Sequence, residues 1–163
     1  GLMEFIRLAK IKNLPLVCTL QNSYSLINRI VELGMTEIFF REKLSFFSYS
    51  PLGFGHLSGK YLNDPKAAGR VNLFPGYAQR YNKSGVKKAI EKYDALAAKR
   101  NVSLTDLALS FVYSQWFVTS TVIGATNMNQ LKQNIAAYGL DIVDEELIQE
   151  IDAIHLHVMN PAP

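Results

Sequence analysis

The stretch FFSYSPLGFGHLSGKY, residues 46–61, decides how the fold is interpreted. It begins as an apolar run, breaks at Ser50-Pro51, and then brings three glycines, a histidine and a lysine in quick succession. A short apolar run that ends at turn residues is typical of a buried strand. The sequence therefore poses the question of whether the loop after this strand binds a ligand.

The glycines of this loop do not form a dinucleotide-binding fingerprint. That fingerprint, G-x-G-x-x-G, opens directly into a helix and is followed by an acidic residue at the end of a second strand. Here Gly53 and Gly55 are followed by Ser58 where the third glycine belongs, and the chain continues through Pro65 and Gly69. A Rossmann-type site is therefore rejected.

Composition and charge set the class of the protein. The 163 residues are 48% hydrophobic and 19% charged, which is ordinary for one globular domain. Seventeen Lys and Arg against fourteen Asp and Glu give a net charge of +3, and the basic residues are interspersed with acids. This balance mildly favours an anionic ligand and predicts neither a nucleic-acid partner nor, without a long apolar stretch, a membrane partner.

Cys18 is the only cysteine of the chain and stands in an apolar run. A single cysteine cannot form a disulfide within the chain, and free cysteines are usually buried. The sequence predicts a buried structural thiol and a cytoplasmic protein.

Three apolar segments, 15–20, 44–50 and 118–123, are predicted to be buried strands of a sheet covered by helices. Helical periodicity and capping residues predict helices over 30–42, 84–100, from Ser103 onward, 127–138, and from Asp144 onward. The alternation predicts an α/β fold with parallel strands, either an open doubly wound sheet or part of a (β/α) barrel. Three strands cannot close a barrel, which needs eight.

The loop of roughly thirty residues after the second strand is a candidate binding segment, because such folds bind ligands at the C-terminal ends of their strands. Tyr49 could stack on a planar ligand, and Lys60 and Arg70 could meet a phosphate. The alternative is that Tyr49 packs in the core and that both cations are only solvated.

Two further strand ends carry polar residues. Gln21, with Asn22, follows the first predicted strand, and its carboxamide could pair with another carboxamide or serve the fold alone. The segment from Ile123 to Gln130 leads a strand into a helix, a geometry that suits a phosphate, with Gln130 and Asn134 on one helix face. Asn127 and Gln130 are equally consistent with an ordinary helix cap.

Taken together, these strand ends resemble the C-terminal half of the aldo-keto reductases over the whole chain, 1–163. The segments that carry the resemblance are QNSYSLINR (21–29), YSPLGFGHLSGKY (49–61) and VIGATNMNQLKQNI (122–135). The likeness is greatest to the bacterial Tas-like branch and more distant to potassium-channel β subunits. It implies that the three strands are the sixth, seventh and eighth of a (β/α)8 TIM barrel that binds NADP(H).

The resemblance also implies roles for residues near the nicotinamide and the phosphates. Gln21 matches the residue that contacts the nicotinamide carboxamide, and Tyr49 matches the aromatic that stacks on the nicotinamide. The stretch Ser50, Pro51, Leu52 and Gly53 matches the segment along the pyrophosphate, which Lys60 reaches over. Arg70 matches a cation near the 2′-phosphate, which favours NADPH over NADH.

The resemblance assigns Gly124, Thr126, Gln130 and Asn134 to the adenosine end of the cofactor. It places the proton-donating tyrosine and its lysine, aspartate and histidine partners on the first four strands of the barrel, whereas the strands of this chain match the sixth to eighth. We therefore expect no catalytic residue and no metal site here, and an inactive chain when it is alone.

The intact enzyme is expected to reduce small aldehydes or ketones. The alternative function is a non-catalytic nucleotide-binding or regulatory half barrel. Such a protein would need its sheet edge covered, which predicts self-association through the open barrel edge.

Overall fold

The computed structural model describes residues 1–74, 76 and 78–163. The strands in this part of the chain are β1 (Thr19–Ser23), β2 (Ser45–Tyr49) and β3 (Val118–Val122). The α-helices are α1 (Leu2–Ile11), α2 (Met35–Glu42), α3 (Lys60–Asn63), α4 (Arg70–Leu73), α5 (Ser84–Lys99), α6 (Leu104–Tyr113), α7 (Met128–Ala136) and α8 (Glu145–His157). Short 3-10 helices lie at Ile30–Glu32, Gly53–Ser58, Gln79–Tyr81 and Ala137–Gly139.

The strands form a parallel sheet in the order β1-β2-β3, with helices in the connections. The predicted α/β class and parallel sheet are thereby confirmed. The second and third strands lie within one residue of their predicted limits. The numbering of these strands within a complete barrel stays a prediction.

The first strand begins later than predicted. Pairing starts where the Ser45 amide donates to the Cys18 carbonyl, and β1 runs from there alongside β2. Pro15 has no N–H to donate, and Leu16 is 57% exposed, so the apolar residues before Cys18 form a connection rather than a strand. Gln21 and Asn22 consequently lie within the strand and not after it.

Within residues 1–74, 76 and 78–163 only one face of the sheet is covered, so the prediction of a sheet buried by helices is wrong for the other face. Leu20, Phe46 and Val118 point into the helical core. The opposite face, here called the open face, is formed by the alternate residues of the three strands. Its members by register are Thr19, Gln21, Ser23, Ser45, Phe47, Tyr49, Ser120 and Val122. All of them are exposed or half-buried except Ser23, which is buried.

Aromatic rings fill the space under the covered face. Tyr24 and Phe46 are fully buried, and the Phe46 ring stacks on Phe39 with centroids 5.0 Å apart. Phe117 meets the Tyr24 ring edge-on at 5.2 Å, and Phe111 stacks on its other side at 5.8 Å. Such ring pairs stabilise a fold beyond the effect of the area they bury, so these five rings anchor the core.

A clamp centred on Arg29 joins this core to the C-terminal residues. The Arg29 guanidinium binds Glu32 and, at 2.7 Å, Asp152 of α8, and it lies 5.2 Å from the centroid of the Phe111 ring. Its backbone amide donates to the Asn160 side chain. Burial alone would lower the pKa of Arg29, but the bonds to Glu32 and Asp152 outweigh burial and raise it.

Several helix limits confirm the capping analysis. The hydroxyl of Ser103 accepts from the Asp106 amide at the start of α6, and the Asp144 carboxylate accepts from the Leu147 amide at the start of α8. The helix predicted over 30–42 is broken, because Gly34 has a φ of +120° that a continuous helix cannot include.

The loop after β2, the single cysteine and the histidines of α8 have environments that the sequence does not fully predict. The loop 51–83 contains short helices in its described part rather than irregular chain alone. Cys18 is exposed, so the prediction of a buried thiol is wrong, because the strand it was assigned to begins only after it. Near the end of α8, His157 is exposed and His155 is half-buried.

Among the described residues, no helix combines the length and apolar character needed to cross a membrane.

Phe46→Ala should lower the free energy of unfolding by about 3–5 kcal/mol, because it removes a fully buried ring and leaves a cavity. Phe40→Ala is the matched control, since Phe40 is 73% exposed and its loss should cost less than about 1 kcal/mol. Urea denaturation measures both. Equal losses for the two variants would contradict this description of the core.

Candidate functional site

The three predicted motifs meet at one edge of the sheet. Because the strands are parallel, their C-terminal ends lie side by side, and Ser23, Tyr49 and Val122 occupy neighbouring register positions. Ligands in parallel α/β folds bind at this edge. The structure therefore brings together three segments that are widely separated in sequence.

Gln21 and Tyr49 share the open face of the sheet. Gln21 pairs with Phe47, two residues before Tyr49 on the same strand, so the two side chains are diagonal neighbours. Gln21 is exposed and Tyr49 is half-buried. The alternative that Tyr49 packs in the core is wrong, because the core face of β2 belongs to Phe46 and Ser48.

The turn after β2 has a constrained backbone. Ser50 has a φ of +55°, uncommon for a residue other than glycine, and its carbonyl accepts from the Gly53 amide at 2.9 Å. Gly53 has a φ of +52°, and a Cβ there would lie 3.0 Å from Ile27. Only glycine fits this position without strain. Pro51 is buried in the same turn, and Leu52 packs against the core.

Lys60 is held in place rather than merely solvated. Its ammonium donates to the Ala68 carbonyl at 3.2 Å and lies 4.7 Å from the centroid of the Tyr61 ring. A Cβ at Gly69 would approach this ammonium to 2.6 Å, so Gly69 permits the close contact. Arg70 is exposed, and its guanidinium carbon lies 5.9 Å from the centroid of the Phe54 ring.

The third motif forms a turn braced by two amide side chains. The Asn134 amide is 2% exposed and donates to the Gly124 carbonyl at 3.3 Å. The Gln130 carbonyl oxygen accepts from the amide and the hydroxyl of Thr126, at 2.9 and 3.0 Å. Asn127 caps α7 by accepting from the Gln130 amide, which confirms the cap interpretation.

These contacts change how the third motif can act. The Thr126 amide is already paired, so it is not a free donor as the strand-to-helix geometry suggested. Asn134 touches Gly124 from beneath the turn, which makes it a positioning residue. Gly124 itself has nothing within 4 Å of the place a Cβ would take, so space is open above its backbone.

The sequence assigns no role to His56, and only the tertiary structure shows its environment. Its ring packs against Tyr81 at 5.3 Å and Tyr61 at 4.8 Å, between residues distant along the loop. Burial, and secondarily the charge of Lys60, lower the pKa of His56 to about 4. It is therefore neutral at physiological pH.

No group of three or more His, Cys, Asp or Glu side chains in the described ranges is arranged to hold a metal ion.

The sequence model of the Aldo/keto reductase family matches residues 3–155. The chain belongs to the aldo/keto reductase family.

Several known proteins are similar to this chain in sequence. Protein tas of Escherichia coli strain K12 is 41% identical over 163 residues, covering 100% of this chain and 47% of that protein. A probable voltage-gated potassium channel subunit beta of Oryza sativa subsp. japonica is 30% identical over 139 residues, or 82% of this chain and 42% of that protein. NADH-specific methylglyoxal reductase of Escherichia coli strain K12 is 28% identical over 128 residues, or 78% and 39%.

The expected resemblance to the aldo/keto reductases, including the Tas-like branch and the channel subunits, is thereby confirmed. The chain spans about half the length of the first of these relatives, protein tas.

The free energy of unfolding should fall as the pH drops from about 6.5 towards 4. The unfolded histidine takes up a proton near its ordinary pKa of 6.5, whereas folded His56 does so only near 4. The unfolded state therefore binds more protons over this interval, and acid favours it. His56→Gln should flatten the dependence.

Urea titrations across this pH range test this prediction. A residual slope is expected from His155, whose pKa is also lowered, by burial and then by Arg29. His157→Gln, at an exposed position of α8, is the control and should keep the original slope. A slope in His56→Gln as steep as in the unaltered chain would contradict the account.

Proposed function

We propose that this chain carries the NADP(H)-binding part of an aldo-keto reductase that reduces aldehydes or ketones to alcohols. The observation that carries the proposal is the placement of Gln21 and Tyr49 on the open face, beside the Ser50 and Gly124 turns. Family membership and a reductase among the relatives support carbonyl reduction as the reaction class.

The residues at the nicotinamide end of the proposed site suit the cofactor chemically. The exposed Gln21 amide can both donate to and accept from a carboxamide, and the Tyr49 ring offers a flat partner for the nicotinamide. When bound, NADP(H) supplies the hydride for the reaction. The role of Tyr49 and Gln21 is to orient the ring that carries it.

The phosphate and adenosine ends involve backbone and cations. We assign the pyrophosphate to the turn Ser50, Pro51, Leu52 and Gly53, with Lys60 adding positive charge. Arg70 has an exposed guanidinium free to reach a 2′-phosphate. The adenosine lies, in this proposal, over Gly124 and Thr126, with Gln130 and Asn134 holding that turn in shape.

The proton-donating residues that the resemblance places on the first four strands have no counterpart in the proposed site. We therefore expect the purified 163-residue chain to bind the cofactor without reducing carbonyl compounds. Cofactor binding is accordingly the direct test of the proposal.

Titration of the purified chain with NADPH, followed by nucleotide fluorescence, should give saturable binding. Tyr49→Ala should weaken it about tenfold, which corresponds to roughly 1.4 kcal/mol. Tyr138→Ala is the control, because Tyr138 is 77% exposed and lies outside the proposed site. Absence of saturable binding by the folded chain, or an equal loss in both variants, would overturn the proposal.

Gly124→Ala should weaken NADPH binding about tenfold. Its Cβ meets no protein atom within 4 Å, so the fold should be unaffected while the methyl group occupies the space assigned to the nucleotide. Gly139→Ala is a matched control, because a Cβ there also has open space around it. Unchanged affinity in Gly124→Ala would remove the adenosine end from this turn.

Arg70→Ala should reduce the preference for NADPH over NADH by about tenfold, because a charge-assisted contact to the 2′-phosphate is lost. One relative is named as NADH-specific, which makes a comparison of the two nucleotides informative. Arg41→Ala, an exposed arginine on α2, is the control. A loss of affinity equal for both nucleotides would place Arg70 away from the 2′-phosphate.

A further inference from the structure

A cavity, here called the second cavity, lies apart from the proposed cofactor site, between the loop that follows β2 and helix α5. Its volume is about 290 Å³, at the lower end of the range for small-molecule sites. Val86 and Ile90 of α5 form its floor, and the 3-10 helix residue Tyr81 closes one side. The cavity therefore combines a rigid helical wall with a wall made by the loop.

The loop wall is preformed. The Asn72 side-chain amide donates to the carbonyls of Pro65 and Ala67, both at 2.9 Å, and so holds the outer segment in a fixed curve. Lys60 bonds the Ala68 carbonyl from the opposite side. Ligand binding would not have to order this segment first, which lowers the entropic cost of binding.

Aromatic rings line the cavity on the loop side. His56 stacks on Tyr81 with an angle of 24° between the ring planes, and its other neighbour is Tyr61. Neutral His56 and the Tyr61 ring, both half-buried, offer flat surface to the cavity, and Tyr81, which is only 3% exposed, supports the His56 ring from behind. A planar apolar body is the shape that such surfaces receive best.

Two atoms in these rings carry unmade hydrogen bonds. The Nε2 atom of His56 and the hydroxyl of Tyr61 are closed off from solvent and have no partner among the described residues. Buried polar atoms are satisfied in most proteins, so a pair of unsatisfied ones beside a cavity is unusual. Both belong to side chains that line the cavity.

The rim of the cavity is positively charged. Lys83 and Lys87 line it, and no Asp or Glu does so in the described part of the chain. The nearest acid to Lys87 is Glu91 at 3.8 Å, an exposed contact that solvent screens. A ligand with a negative group at the mouth and an apolar ring inside would match the lysines at the rim and the aromatic side chains of the lining.

We propose that this cavity binds a small aromatic carboxylate, with its ring against His56 and Tyr61 and its carboxylate towards Lys83 and Lys87. The site is separate from the open face of the sheet. Tyr61 lines this cavity, and its ring also contacts the Lys60 ammonium. A ligand in the cavity would therefore touch a residue next to Lys60, which we assign to the pyrophosphate.

Benzoate is the probe, and the histidine ring signals in NMR spectra of the purified chain are the readout. The chain has only three histidines, which makes the assignment simple. We expect the His56 signals to shift saturably, with a dissociation constant of about 1 mM or tighter, while those of His155 and His157 on α8 stay in place. Failure to saturate, or equal shifts of all three, would overturn the proposal.

The charge requirement is tested with the unaltered chain and with variants. Benzyl alcohol should bind at least tenfold more weakly than benzoate; equal binding would overturn the assignment to a carboxylate. Inorganic phosphate that shifts His56 as strongly as benzoate would mean an adventitious ion only. The double variant K83A/K87A should lose benzoate affinity at least tenfold, and K88A/K92A, at exposed positions of the same helix, should not.

Far-UV circular dichroism must first show that each variant is folded. If K83A/K87A does not fold, the comparison of benzoate with benzyl alcohol in the unaltered chain tests the charge requirement. Tyr49→Ala separates this site from the proposed cofactor site. It should retain benzoate binding, and a loss of binding there would place benzoate on the open face and overturn the proposal.

Discussion

The interaction on which the structure depends is the clamp at Arg29. Residues 23–28 leave the end of β1 and run through the interior, fully buried. A buried segment needs partners for its polar groups, and the surrounding elements supply them. Tyr93 of α5 donates to the Leu26 carbonyl, the Ala162 amide donates to the Ile27 carbonyl, and Arg29 binds Asp152. The clamp thus ties the strand end that carries Gln21 to three distant parts of the chain.

This tie has a consequence for function. Gln21 and Tyr49 can serve a ligand only if the ends of β1 and β2 are held at a constant distance. The Tyr24 amide donates to the Tyr49 carbonyl at 3.2 Å, directly after the last paired residues. Because Tyr24 is also the ring at the centre of the aromatic core, packing below the sheet sets the position of the groups above it. The core is therefore also the support of the proposed cofactor site.

The sheet has one covered and one open face, and this asymmetry separates two kinds of surface. The covered face packs Leu20, Phe46 and Val118 against the core and carries Asn22, Ser48 and Thr121 nearer the C-terminal ends of the strands. The open face mixes Gln21, Ser45 and Ser120 with Phe47 and Tyr49. A surface that carries both hydrogen-bonding groups and flat rings suits a ligand with a polar edge and an aromatic face. The loop after β2 contributes to both proposed sites, since it carries Lys60, which we assign to the cofactor, and His56, which lines the second cavity.

The sequence by itself determined the α/β class, the parallel sheet, most helix limits and the family, because capping residues, hydrophobic periodicity and local motifs act over a few neighbouring positions. It identified the segments of the proposed site for the same reason. Only the tertiary structure decided where β1 begins, since its first pair depends on Ser45 of another strand. It alone revealed that Asn134 donates to the Gly124 carbonyl, that Cys18 is exposed, and that His56 is half-buried between two tyrosine rings. Burial and hydrogen-bond partners are set by residues far apart in the chain, and local sequence patterns carry no information about them.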